Sequence, residues 1–328
     1  MDPLAALQEI AALLEQERAS KYRAKAFRKA LAVLEGMAEG ERADLALVRA
    51  APGIGDTTFT VIRQALEGRV PDYLAELRGT ASLPESALRS LLRGDLHSHS
   101  EWSDGATPIA AMADAARALG HEYLALTDHS PRLRVAHGLS AERLADQLEH
   151  LAGLDTGSLR LLSGIEVDVL EDGALDQSEE MLARLDVVVA SAHSKLRMPS
   201  REMTVRLVAA AAHPRTRVLG HVTGRLVTGE RGTRPPSTFD AGAVFRACAE
   251  HGTAVEINSR PEREDPPDEL IALALEAGCL FSIDSDAHAP GQLGLLDYGA
   301  ERAERLGVPP DRIVTTWPLP RLLDWLAP

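Results

Sequence analysis

From residue 94 onward, short runs rich in Val, Ile and Leu alternate with longer stretches of helical periodicity, which commits this part of the chain to an α/β fold with parallel strands. Seven runs read as strands, at 94–100, 123–129, 159–169, 186–193, 218–222, 254–259 and 280–288. Helical stretches at 108–119, 141–152, 201–212, 241–251, 268–277 and 292–306 lie between or after them. Parallel neighbours joined by helices need right-handed crossovers, and seven such units in succession predict a closed or nearly closed barrel.

The residues able to bind a metal fall at the carboxyl ends of these runs. The first ends in Asp95-Leu96-His97-Ser98-His99, where side chains two apart share a strand face. Asp128-His129, Glu166, His193, His221 and the pair Asp286 and His288 end others, while the sixth run offers Glu256-Ile257-Asn258-Ser259. Loops at that end of a parallel barrel converge on one mouth, so residues remote in sequence are expected to meet there. Six of the 11 histidines occupy these positions. The other five, His121, His137, His150, His213 and His251, stand without such a partner and read as structural or surface residues. Imidazole and carboxylate together suit Zn, Mn or Fe better than Ca or Mg. Arg225 and Arg260, just after the fifth and sixth runs, are candidates to grip phosphate oxygens with paired N–H groups, and Lys195 is a further one.

Charge supports a site for cations. Residues 1–93 carry 13 basic and 13 acidic side chains, so the whole net charge of −14 falls on residues 94–328. An acidic region acting on a polyanion needs compensating positive charge, which bound divalent ions supply. Cys248 and Cys279 sit in apolar patterns and read as buried small hydrophobes. No stretch approaches the roughly 18 to 20 apolar residues of a membrane span, and the N-terminal residues lack a secretory pattern, so a cytoplasmic protein with no membrane partner is expected.

The segment before the barrel has a different texture. Residues 4–17 and 20–35 show helical spacing, and a further helix pair flanks Pro52-Gly53-Ile54-Gly55. The expected division is a helical domain at 1–78, a linker at 79–93 and the barrel at 94–328. Gly53 and Gly55 let a backbone approach phosphate closely while amides at the next helix start donate to it. Residues 18–29 hold six basic side chains and no acid, with Lys21, Lys25 and Arg28 on one helix face, a plausible track for DNA.

The strand-end motifs resemble the PHP family, named for polymerase and histidinol phosphatase. Gly94-Asp95-Leu96-His97-Ser98-His99 with Ser103-Asp104-Gly105 is similar to its first motif, Leu126-Thr127-Asp128-His129 to its second, Ser191-Ala192-His193 to its third and Ser285-Asp286-Ala287-His288 to its last. The resemblance implies a distorted (β/α)7 barrel, adds Asp104 as a ligand, and implies three divalent ions, Zn or Mn with Fe also accepted. His97, His99, Glu166 and Asp286 would hold one, Glu166 would bridge to a second on His193 and His221, and Asp104, His129 and His288 would hold a third. A bridging hydroxide would then attack phosphorus, with no protein nucleophile.

Residues 4–77 resemble the small helix-hairpin-helix domain of family X DNA polymerases, whose bacterial members also carry a PHP domain. The stretch between the two regions is too short for a palm, so DNA synthesis is not expected. Thr57 and Val61 stand where lyase-active relatives have their lysine, so neither is sugar-phosphate lyase activity. The function implied is a phosphoesterase acting on DNA ends or damaged sites, as a 3′-to-5′ exonuclease, 3′-phosphatase or abasic-site endonuclease. The alternatives are a small-molecule phosphomonoesterase of histidinol-phosphatase type and an inactive DNA-binding scaffold. The sequence leaves the oligomeric state open.

Overall fold

Asp2 begins the first helix by accepting hydrogen bonds from the amides of Leu4 and Ala5, and Pro3 occupies the first turn, where its missing N–H costs nothing. The computed structural model describes residues 1–17, 21–80, 83–228 and 232–327. It divides into two units, Met1–Leu83 with Pro290–Gln292, and Pro84–Ala289 with Leu293–Pro328.

The first unit is helical: α1 (Pro3–Gln16), α2 (Lys21–Glu35), α3 (Glu39–Arg42), α4 (Leu45–Ala50), α5 (Asp56–Leu66) and α6 (Asp72–Thr80). Leu7, Ile10, Leu14, Phe27, Leu34, Ile62 and Leu74 form its core, which is the apolar stripe expected of amphipathic helices.

The second unit runs β1 (Gly94–Asp95), α7 (Ile109–Ala118), β2 (Tyr123–Leu126), α8 (Ala141–Ala152), β3 (Arg160–Asp168), α9 (Glu179–Leu182), β4 (Val187–Ser191), α10 (Ser200–Ala212), β5 (Val218–Leu219), α11 (Ala241–His251), β6 (Ala254–Asn258), α12 (Asp268–Glu276), β7 (Phe281–Asp284), α13 (Leu296–Arg305) and α14 (Leu319–Leu326). All seven strands are parallel and lie in chain order. The fold is a distorted (β/α)7 barrel after a small all-α unit, as the alternation predicts. Residues 84–93, within the segment expected as a linker, belong to the barrel unit, where Leu88 and Leu92 join its core.

Alternate strand residues separate the two faces of the barrel wall. Val188 and Ala190 of β4 join the core under the helices, whereas Val187 and Val189 face inward with Leu162, Val218 and Ala254. Trp317, Leu322 and Leu326 fill that interior from below.

The strands are shorter than the apolar runs. β1 ends at Asp95 and β7 at Asp284, ahead of the metal-type residues. The reason lies at the seam, where side-chain carboxylates replace ladder carbonyls. Asp284 Oδ1 accepts the Leu96 amide at 2.9 Å, Asp95 Oδ1 accepts the His97 amide at 3.0 Å, and the Ser285 hydroxyl donates to Asp95. An isolated parallel bridge between Ser98 and Ala287 then continues the closure.

Candidate metal centre

Strand β3 carries Glu166 to the upper end of the barrel, where it is buried. Its Oε1 lies 3.2 Å from His193 Nε2 and 2.8 Å from His221 Nε2. Its Oε2 lies 2.8 Å from His129 Nδ1, 3.4 Å from His97 Nε2 and 3.6 Å from His99 Nε2. Five imidazoles contributed by segments around the barrel thus face one carboxylate. Asp104 extends the group outward, with Oδ1 3.4 Å from His129 Nε2 and 3.3 Å from His288 Nε2. Asp286 Oδ1 stands 3.5 Å from His99 Nε2. All nine residues singled out as ligands are therefore brought together.

Three sets of donor atoms converge closely enough to share an ion, with every atom of a set within 4.8 Å of the others: His99, Asp104, His129 and His288; His97, His99 and Glu166; His129, Glu166 and His193. The grouping differs in detail from that implied by resemblance, because His99 and His129 each stand in two sets. Among the described residues, the buried ring nitrogens His97 Nε2, His99 Nδ1 and His99 Nε2 have no hydrogen-bond partner. Lone pairs left unsatisfied beside ionised carboxylates fit divalent cations of the Zn or Mn kind.

Electrostatics points the same way. Burial opposes charge on Glu166, yet the facing His193, His97 and His129 rings hold it well below the usual carboxylate range. Asp286 is likewise held well below it, burial being outweighed by Arg260 and Arg263. Burial, followed by the neighbouring His288 and His129 rings, pushes His99 down to about 3. His129 is also disfavoured as a cation by burial, but Glu166 and Asp104 raise it to about 10. A cluster that attracts protons so strongly through its carboxylates attracts metal cations by the same field, and binding them releases protons.

Behind the ligands stands Glu256, which the sequence showed only as strand six's substitute for a ligand. It is wholly buried, and its carboxylate accepts His97 Nδ1 at 2.5 Å, the His221 amide at 2.5 Å and Asn258 Nδ2 at 3.2 Å. With Nδ1 donating, His97 presents Nε2 to the centre. The signal was the alternation Glu256-Ile257-Asn258, which points both polar side chains inward.

The arginines separate. Arg260 NH1 lies 3.4 Å from Asp286 Oδ1 and 3.1 Å from His288 Nδ1, at the centre. Arg225 goes elsewhere: its Nε donates to the carbonyls of Arg263 and Glu264 at 3.0 and 2.9 Å, bracing the loop after β6. The second guanidinium at the centre belongs to Arg263, whose Nε is 3.2 Å from Asp286 Oδ2 and which the sequence did not single out.

In the helical unit, Gly53 has φ +109° in the turn between α4 and α5, and the Lys29 side chain lies against it. Gly55 immediately precedes α5. Lys25 is exposed, whereas Arg28 is held by Glu15 in two hydrogen bonds of 2.9 and 2.7 Å and is not a free cation. The Lys21 side chain and residues 18–20 lie outside the described residues. Val61, at the expected lyase position, is buried and Thr57 exposed.

The PHP domain profile matches residues 95–260, about half of the chain and most of the ligand set. The chain belongs to the PHP family. Over 236 residues this PHP protein is 30% identical to a probable phosphatase of Vibrio parahaemolyticus serotype O3:K6, a match that covers 68% of this chain and 88% of that one. It is 38% identical over 216 residues to the DNA polymerase/3'-5' exonuclease PolX of Bacillus subtilis (strain 168), covering 65% of this chain but only 37% of that one. Among solved structures it matches the histidinol phosphate phosphatase of Lactococcus lactis subsp. lactis Il1403, complexed with Zn, L-histidinol and phosphate, at 17% identity and a TM-score of 0.46, over 66% of this chain and 94% of that one. As a PHP phosphoesterase the chain is a metal-dependent hydrolase. Among the described residues no helix is long and apolar enough to cross a membrane.

Proposed function

We propose that this chain hydrolyses phosphate esters at nucleic-acid ends or damaged sites. The observation that carries the reading is the pairing, in one chain, of the histidine and carboxylate cluster with a helical unit whose α4–α5 turn presents Gly53 and Gly55 at a helix start. The 38% identity to a polymerase and exonuclease supports it. We assign His97, His99, Asp104, His129, Glu166, His193, His221, Asp286 and His288 as ligands of up to three Zn or Mn ions. When bound, such ions activate water at neutral pH and neutralise charge on the phosphoryl group.

The protein's own part is to hold and orient. Glu166 stays ionised at the middle of five imidazoles, and His99 stays neutral, with one ring nitrogen free of a proton to bind an ion. Arg260 and Arg263, anchored on Asp286, offer guanidinium N–H groups beside the donor set, where they would orient phosphate oxygens. Neither cysteine serves as nucleophile, since both are buried in the core under the helices. Gly53, Gly55 and Lys25, joined by Lys29, would hold the sugar-phosphate backbone without reading sequence.

A second reading, hydrolysis of a small phosphomonoester, is favoured by the probable phosphatase, whose own length is 88% covered. The two are separated by offering the Mn²⁺- or Zn²⁺-reconstituted protein a labelled oligonucleotide, an abasic duplex and histidinol phosphate side by side. The nucleic-acid reading expects kcat/KM to be highest on one of the two DNA substrates. Turnover confined to histidinol phosphate overturns it.

A further inference from the structure

Two loops at the mouth carry cations that make no ion pair among the described residues. The loop after β2 starts at the ligand His129 and returns to it, since the Leu139 amide donates to the His129 carbonyl at 2.7 Å. Its backbone is tied down: Asp176 Oδ2 accepts the Ser130 hydroxyl at 3.0 Å and the Arg132 amide at 2.7 Å. Gly138 lies so close to the chain that a Cβ there would stand 1.8 Å from the Ser130 carbonyl oxygen. Yet Arg132 and Arg134 are exposed and make no ion pair among the described residues, and Val135 between them and the loop's return is 88% exposed.

The loop after β4 repeats the arrangement. It starts at the ligand His193, whose ring lies 5.3 Å from that of His129. Buried Arg206 holds the Ser194 carbonyl at 2.9 Å, and the Ser237 hydroxyl holds the Leu196 carbonyl at 2.9 Å. Lys195 is fixed at φ +53°, a conformation costly for a side chain other than glycine. Lys195 and Arg197 are exposed and likewise unpaired among the described residues. The acids of the intervening hairpin, Glu171 and Asp172, pair with none of the four.

We propose that Arg132, Arg134, Lys195 and Arg197 form a phosphate track on either side of the metal centre, and that its occupant is a single nucleic-acid strand leading to the scissile ester. This rests on the nucleic-acid reading above and adds where the barrel itself grips the polymer. A region carrying net charge −14 opposes a polyanion, so cations left without acidic partners at the mouth are where such a chain gains most. Backbones anchored in advance lower the ordering cost of binding. Val135 supplies the apolar contact that a nucleobase offers and a bare phosphate does not.

The test measures KM for a short single-stranded DNA across a salt series, in full-length protein reconstituted with Mn²⁺. The variants are R132A/R134A, K195A/R197A and the charge-keeping R132K/R134K, each with its bound metal quantified. Each alanine pair is expected to raise KM about tenfold and to flatten the slope of log KM against log salt by roughly 0.7 for every phosphate that loses its cation. The lysine pair should keep most of the slope, and metal content should match the parent throughout. For p-nitrophenyl phosphate, KM of R132A/R134A should rise less than about threefold, because that ester has one phosphate for the centre alone.

Unchanged KM and slope in both alanine pairs, with the parent cleaving DNA, overturn the track and leave the nucleic-acid reading standing. A parent that hydrolyses p-nitrophenyl phosphate but no DNA overturns that reading, and the track with it. Loss of metal in the alanine pairs also overturns the track, since the loops would then support the centre rather than the substrate. Competition by inorganic polyphosphate equal to that by DNA of the same charge overturns the choice of occupant.

Discussion

Glu256 faces three donors at once, the His97 ring, the His221 amide and the Asn258 side chain, and only a carboxylate can accept from all of them. Glu256→Gln keeps the shape but aims an amide N–H at one of these donors, loosening the tautomer and orientation of His97. We expect metal affinity to fall about 10- to 100-fold in chelator competition, with activity largely restored by excess metal. An unaltered affinity would remove Glu256 from any positioning role. Away from the centre, His121 is buried with neither ring nitrogen hydrogen-bonded among the described residues, and burial followed by the charge of Arg89 lowers it to about 4. Its unfolded value is near 6.5, so the unfolded chain takes up the proton first. Its contribution to stability is therefore complete above about pH 6.5 and declines as pH falls towards 4, by roughly 3 kcal/mol in all. His121→Leu should flatten that part of the acid-unfolding curve; denaturant midpoints that track the parent from pH 7 to 4 would contradict this.

At the level of elements, the strands were legible because apolar runs and helical stretches alternate without interruption, and so were eight of the nine candidate ligands, because each stands in or just after an apolar run, whereas Asp104, in the loop after β1, came only from the family resemblance. Where a strand stops was not legible. That depends on Asp284 taking the Leu96 amide and Asp95 the Ser285 amide across the seam, a pairing between remote segments that no local pattern reveals. The arginines show the same limit. Arg225 and Arg263 both follow strands, and only the path of the loop after β6 decides which guanidinium reaches Asp286. Helix α10 gives a testable case of such long-range bracing. Arg206 is wholly buried and spends its guanidinium on the carbonyls of Val169 and Ser194, tying the loops after β3 and β4 to one helix. Arg206→Met fills similar space but leaves both carbonyls unsatisfied, at about 1–3 kcal/mol each. We expect a loss of roughly 2–4 kcal/mol in urea unfolding, mainly as a lower midpoint, with Arg206→Lys intermediate. Parent-like midpoints in Arg206→Met would show that the loops do not depend on it.

For the whole molecule, the sequence conveyed that helices precede a barrel and that the negative charge is confined to the barrel region, and this asymmetry explains why stability there should depend on cations. Five imidazoles crowd around Glu166, with Asp104 beyond them beside His129 and His288, and ions that bind this arrangement but not the unfolded chain stabilise it by mass action. The gain is about 2.7 kcal/mol at a free ion concentration 100 times Kd, and more for several sites. The three tryptophans offer a selective reporter, because Trp102, Trp317 and Trp325 all lie in the barrel unit. Thermal unfolding followed by tryptophan fluorescence should shift down by several degrees when a chelator is added, and recover with Mn²⁺ or Zn²⁺. Glu166→Gln weakens the shared carboxylate, so its transition should lie nearer the chelated parent and respond less to added metal. A tryptophan transition that stays put through chelation and reconstitution would mean that the cluster is held by the fold alone, without help from bound ions.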